Sequence, residues 1–324
     1  MKTRHWVIFV VLVMLGIGIF PISASFAQRY PNRPIQLVIP NAAGGNMDIA
    51  ARMLAGELEK IVGQKVIPSN KPGGATVLGA DVVVRAKKDG YTLLYAGASS
   101  FIYAPITNPE IVHYDPAKDV DPLGFHFFFP QTITVRSDSP WKTFAELMDY
   151  AKKNPGKLRV STTGIGSQPH FVLEMIQSMT GAQFTHVPFE GGESVITAVL
   201  GGHVEVTCDS LPKVRGHAEA GKLRILLMTN KMPDFPEIPT ITELGYKQSL
   251  PTAWFGLYAP VGIPDEAKKI LVPAIEKAVK ITKPKMDQVG NICEYKSPSE
   301  QRKLRDEEYK QIYEMAVKIG LRKQ

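Results

Sequence analysis

Apolar runs, glycine pairs and amphipathic stretches recur along this chain in one repeating order. Residues 34–39 form a short strand-like run, followed by the glycine-rich segment Asn41-Ala42-Ala43-Gly44-Gly45-Asn46. Ile49, Ala50, Met53, Leu54, Leu58, Ile61 and Val62 then fall at helical spacing, which predicts an amphipathic helix ended by Gly63. A strand at 65–68, a helix opened by Gly73-Gly74 over 77–86 and a strand at 91–95 complete the unit. The order returns with a strand at 158–161 and the loop Thr163-Gly164-Ile165-Gly166-Ser167. A helix carrying Phe171, Val172, Met175, Ile176 and Met179 follows and ends at Gly181. Then come a strand at 184–188, a helix over 194–200 opened by Gly191-Gly192, and a strand at 204–208.

Strands alternating with helices at this spacing predict βαβ units and parallel sheets. Two copies predict an α/β protein of two lobes. The aromatic run at 125–129, continued by 132–135, and the run at 254–258 read as two crossover strands. The aromatic run fits a buried strand better than a stacking platform. Helical spacing over 265–280 and the capping box Ser297-Pro298-Ser299-Glu300 predict C-terminal helices that rejoin the first lobe, the last one charged and exposed. Ligands of open α/β sheets bind at the carboxyl ends of strands. Both glycine loops sit at such ends and should face each other across a cleft.

The N-terminus changes the picture of where this fold operates. Lys2 and Arg4 precede an uncharged apolar run of 15 residues, Trp6 to Phe20, and Ser25-Phe26-Ala27 offers a cleavage site. This pattern predicts a secretory signal peptide over residues 1–27, too short to span a membrane. The lobes then comprise 28–124 with 255–324, and 125–254. The remaining chain carries a net charge of +5, thinly spread, which gives no reason to expect nucleic acid. Cys208 and Cys293 allow either one disulfide or two buried thiols. The histidines have no metal-ligand spacing with one another or with cysteine, so neither a metal nor a cofactor is expected.

The glycine loops carry the candidate chemistry. A strand, a glycine loop and a helix present bare N–H groups at the positive end of a helix, which suits an anion. Neither loop holds the Lys of a phosphate-binding P-loop or the three glycines of a dinucleotide site. A carboxylate held by amides, hydroxyls and water is the simplest remaining ligand.

Several segments taken together resemble one family. They include Tyr30-Pro31-Asn32-Arg33-Pro34, Gly44-Gly45-Asn46-Met47-Asp48, Asn70-Lys71-Pro72-Gly73-Gly74 and Asp89-Gly90-Tyr91-Thr92. Thr163 to His170, His186-Val187-Pro188-Phe189, Ile238-Pro239-Thr240 and Trp254-Phe255-Gly256 continue the series. The chain is similar over most of its length to the Bug receptors, the substrate-binding proteins of tripartite tricarboxylate transporters. The resemblance implies a periplasmic-binding-protein-like fold of type II character and a monomer. It implies a receptor that closes on a small organic carboxylate and delivers it to the large and small membrane subunits of a secondary transporter.

The resemblance places the ligand between Asn41, Ala43, Gly44, Gly45, Asn46 and Asp48 on one side and Thr163, Gly164, Gly166, Ser167 and His170 on the other. Ser99, Ser100, Phe189 and Asp209 join them. Two positions depart from the usual pattern: Ala42-Ala43 replaces a proline before the first glycines, and Phe189 stands where a tyrosine is usual. Read from residue chemistry alone, Asp48 caps its own helix, and His170 packs or hydrogen-bonds in its first turn. Ser99, Thr163 and Ser167 donate hydroxyl hydrogen bonds. Asp209 either holds water, accepts from a ligand hydroxyl or amine, or stands aside. No nucleophile–base pair is legible, so the chain reads as a receptor rather than an enzyme. A sensor module for a signalling protein and an exported enzyme are the competing readings.

Overall fold

The computed structural model describes residues 30–322 except 190, 191 and 289, so the signal-peptide region, Glu190 and Gly191 lie outside the described residues. Two sheets carry the architecture. The first contains β1 (Ile35–Ile39), β2 (Val66–Asn70), β3 (Thr92–Gly97), β4 (Val120–Phe129), β10 (Ala253–Pro260) and β11 (Ile292–Cys293), in the order β11-β4-β10-β3-β1-β2. The second contains β5 (Gln131–Arg136), β6 (Arg159–Thr162), β7 (Thr185–Pro188), β8 (Val206–Ser210) and β9 (Leu223–Met228), in the order β7-β6-β8-β5-β9.

The repeat read in the sequence is visible in this topology. β1 pairs in parallel with β2 and β3, and β6 pairs in parallel with β7 and β8. In each sheet an antiparallel strand then follows, β10 beside β3 and β5 beside β8. The two crossover strands meet in the first sheet, where β4 and β10 pair antiparallel from Ala253↔Phe129 to Pro260↔Val120. Only Pro130 separates β4 from β5, so the outward crossing takes a single residue.

Helix α1 (Asn46–Val62) follows β1 and α5 (Gln168–Thr180) follows β6. Between them lie α2 (Val77–Val84), α3 (Ala104–Thr107) and α4 (Phe144–Lys153). Both α1 and α5 start at a glycine loop and stop at a left-handed glycine, Gly63 at φ +72° and Gly181 at φ +76°, whose N–H closes back on the last turn. α1 buries Ala50, Leu54 and Leu58, but Ile49 points outward at 42% exposure, off the expected face. The remaining helices are α6 (Gly192–Leu200), α7 (Leu211–Glu219), α8 (Asp265–Gln288) and α9 (Pro298–Lys318). α8 packs on α1, and α9 packs on β4 and on α5, touching both lobes.

The final helix is not the exposed element expected from its charge. It buries Gln301, Arg305 and Glu308 together with Ile312, Met315 and Ala316. Polar side chains with long apolar stems fill this face, so the hydrophobic pattern understates its burial. Its apolar end joins a core that runs from Val38 and Phe101 in the first lobe, through Phe125, Trp254 and Tyr258, to Val160 and Phe171 in the second. Cys208 and Cys293 are buried free thiols, in β8 and β11 of different sheets. Burial raises both thiol pKa values, that of Cys293 to about 11.

Candidate functional site

A cleft of about 460 Å³ opens where the carboxyl ends of both sheets converge. The first lobe contributes Asn46 at the start of α1, Ala75 and Thr76 before α2, and Ser99, Tyr103, Thr107 and Asn108 after β3. The second contributes residues from Thr163 to Pro169, with Asp209 and Ser210 at the end of β8 and Pro212 and Lys213 at the start of α7. Phe129, Gln131, Ala253 and Phe255, beside the two crossings, complete the wall. Phe255 stacks on buried Phe127 at 4.8 Å and meets Phe129 at 5.7 Å. The aromatic run is therefore mostly core, with Phe129 reaching the cleft.

The first glycine loop is shaped by a buried carboxylate. Asp48 is 3% exposed and accepts from Gly44 N at 2.9 Å, Arg52 Nε at 3.0 Å and Asn70 Nδ2 at 2.9 Å. The Arg52 hydrogen bond is the main cause that holds its pKa down to about 2, against the opposing effect of burial. Asp48 thus organises its loop and lies outside the cleft wall. Asn46 reaches the wall, paired through both amide groups with buried Asn291 at 2.9 Å. Asn41, Ala43, Gly44 and Gly45 form the exposed outer rim of the loop. Ser99 lines the cleft, while Ser100 is buried behind it with its hydroxyl 2.8 Å from that of Thr76.

The loop before α2 is a feature the sequence reading passed over. Gly73, Gly74, Ala75 and Thr76 all have positive φ, at +137°, +54°, +50° and +81°. For Ala75 and Thr76 this region is strained by about 1–2 kcal/mol per residue. Both strained residues face the cleft. The Gly73-Gly74 pair was the available signal.

The second glycine loop is held by a hydroxyl and two stacked imidazole rings. Ser167 caps α5, accepting from His170 N at 3.4 Å and donating to Gly164 O at 2.6 Å. His170 Nδ1 accepts from Gly166 N at 3.0 Å, and its ring stacks on His186 at 4.2 Å. His186 Nε2 pairs with Thr162 Oγ1 at 2.6 Å, and burial, then His170, push its pKa down to about 4. Thr163, Gly166 and Ser167 line the cleft, with Gly164 and His170 supporting them from behind. Phe189 instead packs in the apolar cluster around Leu211 and Val214.

Charge enters the cleft as a neutralised pair. Asp209, 2% exposed, accepts from Lys213 Nζ at 3.1 Å and from Ser210 N at 2.7 Å. Burial raises the Asp209 pKa while Lys213 opposes that rise. Lys213 is not among the residues expected from the sequence, although it stands four positions after Asp209, the spacing of a local ion pair.

A chain of amides and hydroxyls leads out of the cleft. Gln131, 3% exposed, donates from Nε2 to Gln168 Oε1 at 3.2 Å. Gln168 lies beside the Tyr103 hydroxyl, which donates to Glu308 Oε1 at 2.9 Å. Trp254 Nε1 donates to the other Glu308 oxygen at 2.6 Å. Burial pushes the Glu308 pKa up to about 7 despite these two donors. Tyr103 belongs to a π-helical turn, Ser99–Tyr103, which has no hydrophobic period to betray it.

Comparison with known proteins agrees with this geometry. Residues 50–318 match the model of the tripartite tricarboxylate transporter family receptor. The UPF0065 protein in the gbd 5' region of Cupriavidus necator is 37% identical over 289 residues, 86% of this chain and 85% of that protein. Protein BugT of Bordetella pertussis is 32% identical over 253 residues, 76% of this chain and 78% of that protein. A TctC solute-binding protein from Polaromonas superposes with a TM-score of 0.79 at 28% identity, covering 89% of this chain and 99% of that one. A Rhodopseudomonas palustris protein with adipate superposes with a TM-score of 0.75 at 27% identity, over 90% and 98% of the two chains. MatC from the same organism, with bound malate, gives 0.71 at 26%, over 88% and 99%. The chain belongs to the tripartite tricarboxylate transporter receptor family.

Proposed function

We propose that this chain is an exported receptor that binds a small organic carboxylate between its lobes, performs no chemistry on it, and passes it to the membrane subunits of a transporter. The observation that carries this reading is the convergence of helix starts on one cleft whose lysine is already neutralised. α1, α5 and α7 begin there, with N-caps Gly45, Ser167 and Ser210. The positive ends of these helices favour an anion. At α5 and α7 the first-turn His170 N is already taken by Ser167 Oγ and Leu211 N by Pro130 O, and Pro169 and Pro212 have no N–H. The attraction there comes mainly from the helix dipole. The relatives with adipate and malate support a carboxylate as that anion. The leader pattern over residues 1–27 supports a periplasmic location for the receptor.

Closure pivots at the chain crossings. β4 and β10 belong to one sheet and move as one body, which puts the bending at Pro130 and near Thr252. A thermal-shift screen of C3 to C8 mono- and dicarboxylates tests the reading. A ligand at 100 times its Kd stabilises the protein by about 2.7 kcal/mol. Silence across the panel sinks the proposal, and turnover of a bound acid replaces it with an enzyme.

A further inference from the structure

The far wall of the cleft contains a buried polar atom that the protein leaves unsatisfied. Gln131 opens β5 immediately after the crossing at Pro130. Its backbone is fixed on both sides by Thr229: Gln131 N donates to Thr229 Oγ1 at 3.0 Å, and Gln131 O accepts from Thr229 N at 2.9 Å. Its side chain is pinned by the bond to Gln168. Among the described residues Gln131 Oε1 is buried without a hydrogen-bond partner, and so is Gln168 Nε2. Two amides joined by one hydrogen bond leave one acceptor and one donor over. Turning both amides exchanges the roles and keeps that count. The Tyr103 hydroxyl beside them spends its proton on Glu308, and its oxygen is within reach of the Gln168 amide, which leaves Gln131 Oε1 as the unanswered atom.

Buried polar groups are nearly always satisfied, and an orphan on a residue that lines a cleft points to a ligand group. A second carboxylate fits badly, because it only accepts and would face a carbonyl oxygen. A hydroxyl donates to the free acceptor, Gln131 Oε1, without bringing a charge into the buried site.

We infer that Gln131, with Gln168, selects a carboxylate that also bears a hydroxyl, and that this pair sets ligand choice where the glycine loops set affinity for the acid. The inference rests on the carboxylate reading above and names the class of acid. A site built to hydrogen-bond a hydroxyl rejects the analogue lacking it, because its own polar atoms are then left unpaired.

Titration calorimetry with succinate against malate, and adipate against 2-hydroxyadipate, tests it on the wild type, Gln131→Leu and Gln131→Met. The wild type should favour the hydroxy acid of at least one pair by tenfold or more. Both variants should bring that ratio to about one, the loss falling mainly on the hydroxy acid. Thermal unfolding of the unliganded variants checks their fold, and Met serves if Leu disrupts it. A ratio near one in the wild type, or an unchanged ratio in a folded variant, overturns the assignment. Absence of binding by all four acids, together with a silent carboxylate screen, overturns the receptor reading itself and the assignment with it.

Discussion

The two glycine loops occupy equivalent places in the repeat and are built by different chemistry. The first is held by charge: Asp48 gathers Gly44 N, Arg52 and Asn70. The second is held by a hydroxyl and two imidazoles: Ser167 caps, His170 accepts from Gly166, and His186 stacks behind. They also differ in exposure. The first presents mainly Asn46 to the cleft, whereas the second presents Thr163, Ile165, Gly166, Ser167, Gln168 and Pro169. The same backbone arrangement therefore leaves one loop as a rim and makes the other the main wall.

Replacing the glycines should separate the loops most sharply. A Cβ on Gly166, at φ +74°, would meet Thr107 Cγ2 of the opposite lobe at 2.9 Å. Gly166→Val should therefore reduce affinity more than about 100-fold, roughly 3 kcal/mol, by wedging the lobes apart. Gly44, at φ +86°, has no neighbour within 4 Å of its Cβ position among the described residues. Gly44→Val should cost about 1–2 kcal/mol in stability through backbone strain and change affinity less than tenfold. Calorimetry and thermal unfolding of both variants check this, and equal losses of affinity would erase the distinction.

Acid should act on the loops in different windows. The Asp48 pKa is depressed to about 2, so its contribution is present above pH 4 and is lost as pH falls toward 2. Asp48→Asn should cost about 1 kcal/mol at pH 7, allowing for the half-exposed Arg52 partner, and should flatten the stability profile in that window. The His186 pKa is also depressed, to about 4, from the ordinary value near 6.5. Its unfolded form takes up a proton first, so stability falls between about pH 6.5 and pH 4. His186→Asn should remove that slope, an effect of about 1 kcal/mol or less for a half-buried ring. Unfolding curves from pH 3 to pH 8 read both windows, and a single shared window would contradict the two constructions.

Much of this was legible because two periodicities carry it. Alternation of strand and helix gave the repeat, and glycine marked the loops and helix ends at Gly63 and Gly181. The final helix escaped the reading because Gln301, Arg305 and Glu308 occupy its buried face. Their burial depends on partners distant in sequence, such as Tyr103, Trp254 and Pro116. Gln131 and Thr107 escaped for the same reason, since only the folded chain brings them beside Gln168 and Gly166. Ile49 was placed on the helix face by its chemistry, yet the smaller Ala50 and Ala51 take the buried positions.

The central claim is that helix starts from both lobes bind an ionised carboxylate in the cleft. Calorimetry with the best-binding acid and its primary amide, at one pH and one salt concentration, tests it most directly. The amide should bind at least about 100-fold more weakly, since it lacks the charge that the positive helix ends favour. Equal affinity for the acid and the amide would contradict it.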